Sequence, residues 1–169
     1  MEIPYPVYDG PWTPAPVPPA LPPTIGWTGL RGDGISTIAK LCAHRGWHLN
    51  ASTAEWRMTP DEITRLSAST LIVLWYFASG RGQSLALATA CATRRPVLIN
   101  DSRMFRAAWS YGDQIYRAGL DPAPPLLEPA IDAVLDAVYK QRAKVPSTIV
   151  DERSWARAIA TMEATWTWR

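Results

Sequence analysis

Apolar residues along this chain fall partly into short unbroken runs and partly into helical stripes, and the runs are the more informative. Leu71-Ile72-Val73-Leu74-Trp75-Tyr76 and Arg95-Pro96-Val97-Leu98-Ile99 read as two buried strands. Four apolar residues in a row suit a strand covered on both faces, as in a parallel sheet. Between them stand Gly80-Arg81-Gly82-Gln83-Ser84 and then Leu85-Ala86-Leu87-Ala88-Thr89-Ala90-Cys91-Ala92. The second segment is too poor in β-branched residues for a strand, and small enough for a helix lying close on a sheet. Strand, glycine turn, helix and strand make a βαβ unit, for which the crossover is right-handed.

The same reading extends in both directions. Residues 24–30 form a first strand, ending in the glycine loop Arg31-Gly32-Asp33-Gly34. Residues 35–45 follow as a helix, with Ile35, Ile38, Ala39, Leu41 and Cys42 on its inner side and Gly46 as its stop. Residues 47–50 read as a short second strand. Thr59-Pro60-Asp61-Glu62 is a capped helix start, with Thr59 as cap, Pro60 in the first turn and two acids facing the helix dipole. That helix runs to about Ala68. After Ile99, residues 100–106 switch again from strand to helix, followed by a helix or loop carrying Trp109, Tyr111 and Tyr116. Prolines at 122, 124, 125 and 129 then break the chain. Residues 128–144 form an amphipathic helix, with Ile131, Val134, Leu135 and Val138 on one face and Asp132, Asp136 and Lys140 on another. Residues 151–168 form a last helix, with a stripe of Trp155, Ile159, Met162 and Trp166 that suits either core packing or a partner-binding face.

The expected fold is α/β: a three-layer domain over residues 24–121 with a parallel sheet of four or five strands, and C-terminal amphipathic helices over 122–169. Residues 1–23 hold nine of the sixteen prolines, interleaved with Tyr5, Tyr8 and Trp12. Such a segment cannot form a helix or central strand, and it reads either as a disordered tail or as an extended arm anchored by its aromatics. The aromatics of the arm and of the last helix imply a homo-oligomer joined through both termini.

Composition narrows the classes. The chain has 169 residues and a net charge of +2, but residues 31–117 carry eleven Lys/Arg against six Asp/Glu. This local excess suits an anionic small ligand and is too modest for duplex nucleic acid. No apolar run reaches the length of a membrane span, and the first residues lack a signal-peptide pattern, so a soluble cytoplasmic protein is expected. Cys42 and Cys91 lie among apolar neighbours with no CxxC, and Gly46 interrupts any helix between His44 and His48. Neither a metal site nor a cofactor is implied.

The candidate ligand site is the sheet edge where both glycine loops begin. Gly29, Gly32 and Gly34 permit close backbone approach and positive φ, with helix N–H groups aimed at the same edge. Gly80, Gly82, Gln83 and Ser84 offer the same at the neighbouring helix. Arg31 and Arg81 can clamp phosphate oxygens. Trp27, Trp75 and Tyr76 border the edge, where they either pack the interior or stack on a base.

The order of elements resembles the nucleoside 2-deoxyribosyltransferase-like fold and its SLOG relatives, which include the cytokinin-activating phosphoribohydrolases. In those Rossmann-like families the loop after the third strand reads approximately Gly-Thr-x-x-Glu-x-Gly-x-Ala, followed by a Lys-Pro-Val strand. Gly82-Gln83-Ser84-Leu85-Ala86-Leu87-Ala88-Thr89-Ala90 stands at the matching spacing before Arg95-Pro96-Val97, and Thr28-Gly29-Leu30-Arg31 is similar to the SLOG opening. The resemblance implies a nucleotide pocket, but the families' glutamate falls on Ala86. Cleavage of an N-glycosidic bond needs a carboxylate beside the oxocarbenium-like centre, and alanine supplies none. Asp33, Asp61, Glu62 and Asp101 are the possible substitutes. Asp61 and Glu62 read more simply as helix-start charges, while Asp101, at the end of a strand, is the candidate catalytic acid. Three functions therefore stay open: a nucleotide binder without turnover, an N-glycosidase or transferase with a relocated acid, and an assembly protein using the fold as scaffold.

Overall fold

The computed structural model describes residues 21–28, 34–51, 59–75, 85–102, 105, 115–118, 124–146 and 154–165. Ten elements follow in chain order: β1 (Thr24–Trp27), α1 (Ile35–Arg45), β2 (His48–Ala51), α2 (Pro60–Ser67), β3 (Leu71–Leu74), α3 (Leu85–Ala92), β4 (Val97–Ile99), β5 (Tyr116–Arg117), α4 (Pro124–Tyr139) and α5 (Trp155–Thr165). The sheet has five strands in the order β2-β1-β3-β4-β5, all parallel. The expected α/β class and parallel sheet are thus present, and β3 and β4 are adjacent and parallel.

Alternation along the strands sorts the core into two faces. Ile72 and Leu74 of β3 and Val97 and Ile99 of β4 pack with Ile63 and Leu66 of α2, with α3, and with Phe105 and Ile115. Leu71, Val73 and Trp75 point the other way, with Ile25 and Trp27, and meet Ile38 and Cys42 of α1 and Leu127, Ile131, Val134 and Leu135 of α4. Helices on both faces of the sheet make three layers. Seven of the eight residues of α3 are buried, which explains its composition: only small side chains and leucines tolerate contact on nearly every side. Burial of Leu87 alone stabilises by about 2 kcal/mol.

The helix ends follow local chemistry. Gly46 closes α1 at φ 66°, a left-handed cap that leaves its N–H bonded to the Cys42 carbonyl. Thr59 caps α2, accepting from the Glu62 N–H at 3.2 Å, with Pro60 in the first turn. Across the layer, Arg45 at the end of α1 pairs with Glu128 (2.5 Å) and Asp132 (2.8 Å) of α4 and lies over the Trp47 ring.

Two elements differ from the sequence reading. Tyr116 and Arg117, expected in a helix or loop, form the edge strand β5; Trp109 and Tyr111 lie outside the described residues. A two-residue strand has no periodicity to read, and only its pairing with Leu98 and Ile99 defines it. The amphipathic helix begins at Pro124 rather than 128 and ends at Tyr139 rather than 144, with Pro129 inside it. The exposed Pro129 lacks a helical N–H, and burial of Leu127 and Ile131 on either side outweighs that local cost.

Candidate functional site

In an open parallel sheet, ligands bind outside the carboxyl ends of the strands where the chain's direction of winding reverses. Here β1 leads by α1 to β2 at one edge, and the chain then returns by α2 to β3 on the other side of β1. The reversal therefore lies between β1 and β3. Both glycine segments of the sequence leave from this point: residues 29–34 follow β1 and residues 76–84 follow β3.

Of the residues singled out for binding, Gly34 and Trp75 fall among those described. Gly29, Arg31, Gly32, Tyr76, Gly80, Arg81, Gly82, Gln83 and Ser84 lie outside them. Gly34 is buried at the start of α1, and a Cβ placed on it would stand 1.6 Å from the Trp75 carbonyl oxygen. Its φ of −88° is ordinary, which corrects the expectation of a positive φ at this position. Glycine is required because main chain meets main chain. That contact seats the N-terminus of α1 against the carboxyl end of β3. Trp27 and Trp75 are fully buried in the core with α1 and α4, the packing alternative, and neither has a face open for a base.

The helix N-termini at this edge differ in charge. The first turns of α1 and α3 hold no acidic residue, and α1 has no side-chain cap. The first turn of α2 holds Asp61 and Glu62 and is capped by Thr59. The partial positive charge of the helix end is offset at α2, whereas at α1 and α3 no first-turn acid offsets it. These two helices follow the two strands that flank the reversal.

Two of the described carboxylates at this edge stand beside an arginine. Asp101, just past β4, accepts from Arg117 Nε at 2.7 Å and is 10 % exposed. Glu62 is 12 % exposed and receives Arg65 through Nε (3.1 Å) and Nη2 (2.8 Å). Its Oε1 also accepts from the hydroxyl of Thr28, a buried residue at the end of β1, at 3.4 Å. Arg65 bonds in turn to the Asn50 side-chain oxygen, and Asn50 donates to the Arg65 carbonyl and to Ser69 Oγ. Asn50 and Arg65 carried no distinguishing sequence signal, and Thr28 stood out only as the start of Thr28-Gly29-Leu30-Arg31. Glu62 was visible only as a helix-start acid, because its partner on β1 is remote in the chain.

Ala86 lies in the first turn of α3 and is buried, so this position presents a methyl group to the interior. Among the described residues no group of three or more His, Cys, Asp or Glu is arranged to hold a metal ion, and no helix is long and apolar enough to cross a membrane. The chain matches no protein-family model and no curated protein.

Proposed function

We propose that this protein binds a nucleotide-like, phosphate-bearing small anion in the crevice outside β1 and β3, and does not turn it over. The observation that carries the reading is the convergence at the winding reversal of two helices, α1 and α3, whose first turns hold no acid. Helix ends of this kind attract phosphate through N–H groups and dipole. Arg31 and Arg81, in the segments that leave from the same point, are assigned to the phosphate oxygens, with Gly29, Gly32, Gly80, Gly82, Gln83 and Ser84 supplying main-chain approach. With Trp27 and Trp75 committed to the core, base stacking falls to Tyr76. The absence of turnover rests on Ala86 and on the arginine pairing of Glu62 and Asp101, which leaves neither as an ungated acid.

Isothermal calorimetry against nucleoside mono-, di- and cyclic phosphates tests this. Binding tighter than about millimolar is expected, weakened by about 1.5–3 kcal/mol in Arg31→Ala or Arg81→Ala. No binding at millimolar concentration removes the reading. Release of free base that stops in Asp101→Asn replaces it with the N-glycosidase or transferase reading.

The scaffold reading has one observation in its favour. Ile159, in the apolar stripe of α5, is 50 % exposed, as expected of a face that awaits a second copy of the chain. We propose self-association of this cytoplasmic protein through the last helix and the proline-rich arm. Light scattering is expected to give a dimer mass that falls to the monomer in Ile159→Lys; a monomer at tens of micromolar in the unaltered chain defeats it.

A further inference from the structure

We propose that Glu62 reads the sugar of the bound anion, so that the crevice selects a phosphate carried on a ribose with free hydroxyls over a bare or dideoxy phosphate. The inference rests on the anion-binding reading and adds to it a second pole, set on α2.

Glu62 occupies the third position of a helix whose cap is Thr59, where a glutamate ordinarily reaches back to its own cap and closes a reciprocal pair. Half of that pair is present, since Thr59 Oγ1 accepts from the Glu62 N–H. The carboxylate, however, bonds instead to Arg65 and to Thr28. Arg65 draws it along the helix and Thr28 fixes it beside the end of β1, one of the two strands that flank the winding reversal. Glu62 is thus withdrawn from its local task and held beside the carboxyl end of β1.

The chemistry of that position is selective. A carboxylate only accepts hydrogen bonds, so it cannot serve phosphate oxygens, which also only accept. It can serve hydroxyl donors, and the vicinal hydroxyls of a ribose are the donors that a nucleotide carries. Two oxygens offer about four acceptor positions. Among the described residues Oε1 takes Arg65 and Thr28, while Oε2 takes only Arg65 Nε. Arg65 also cancels the charge, so the carboxylate does not repel a phosphate seated between α1 and α3. Arg65 is in turn held by the Asn50 side chain, which keeps the acceptor in one place before any ligand arrives. A site that hydrogen-bonds a hydroxyl discriminates against the analogue lacking it far more strongly than an apolar pocket discriminates by shape.

The test uses the full chain, titrated calorimetrically with the four ribonucleoside 5′-monophosphates, their 2′,3′-dideoxy counterparts and inorganic phosphate. A preference for the ribose form of about tenfold or more is expected in the unaltered protein. Glu62→Gln should reduce that ratio and Glu62→Ala should bring it near one, with dideoxy affinity unchanged and each variant's fold checked by its thermal transition. Equal loss of ribose and dideoxy affinity would make Glu62 a support for the fold and overturn the proposal. A ratio unchanged in both variants, or absent in the unaltered chain while dideoxy compounds still bind, overturns it and leaves the anion site standing. Failure of every phosphate compound to bind overturns both.

Discussion

At the amino edge of the sheet, where the strands begin, polar side chains are bonded to main chain. Thr70 Oγ1 accepts from the Thr24 N–H at 3.1 Å, Thr93 Oγ1 donates to the Ala90 carbonyl and accepts from the Arg95 N–H, and the buried Arg95 donates through Nε to the Ser67 carbonyl at 2.7 Å. At the carboxyl edge, apart from the Thr59 cap of α2, polar side chains are bonded to one another: Thr28 to Glu62, Glu62 to Arg65, Arg117 to Asp101. The difference bears on where a ligand can act. A buried carbonyl that loses its donor has no substitute, so the amino edge cannot be rearranged without cost. A partly solvated ion pair can exchange one partner for a ligand or for water at little cost. Under the proposed function, support and recognition would fall at opposite ends of the same strands.

The largest effect that bears on this contrast is expected at Arg95. Arg95→Met keeps much of the side chain's length and removes the donor to Ser67, and urea unfolding should show a loss of about 3 kcal/mol. A loss under about 1 kcal/mol would mean that the amino edge is as replaceable as the other.

An intermediate effect is expected at Cys42, in the last turn of α1. Burial pushes its thiol from 9.0 up to about 11. Between those values the unfolded chain has released a proton that the folded chain retains, so stability falls as pH rises through the window. The difference amounts to at most about 3 kcal/mol by pH 11. Cys42→Ala should flatten that alkaline limb in a series of unfolding curves, and a limb that persists would assign it to other groups.

The smallest effect belongs to the carboxyl edge. Asp101→Asn breaks the pair with Arg117 and should lower stability by less than about 1 kcal/mol, measured in the same urea series. A cost as large as that of Arg95→Met would erase the distinction between the two edges.

What the sequence made legible follows the same division. The runs around Leu71 and Val97, the small-residue helix between them, the Gly46 stop and the Thr59 cap are local signals, and each appears where expected. The reversal between β1 and β3 depends on strand order, which no single segment encodes. The close approach of Gly34 to Trp75 depends on it too, as does the pairing of Glu62 with Thr28. Of the two reasons for a glycine at position 34, the close backbone approach is present, to Trp75, and the positive φ is not. Pro129 misled because its local cost is visible in the sequence, while burial of Leu127 and Ile131 is not.

The two faces of the core also differ in when a growing chain can complete them. Among the described residues, every buried side chain of the face built on α2 and α3 lies between Ile63 and Ile115. The opposite face draws on Ile25 at one extreme and Leu135 at the other, and until α4 arrives α1 is the only helix among the described residues that packs with Trp27, Trp75 and Leu98. Contacts between distant segments form late, because the intervening chain must first be ordered. During synthesis from the N-terminus, one side of the sheet has all its described parts while the other still lacks the helix α4 that packs with its two tryptophans. The Arg45 bonds to Glu128 and Asp132 then tie this later helix, α4, to the first, α1.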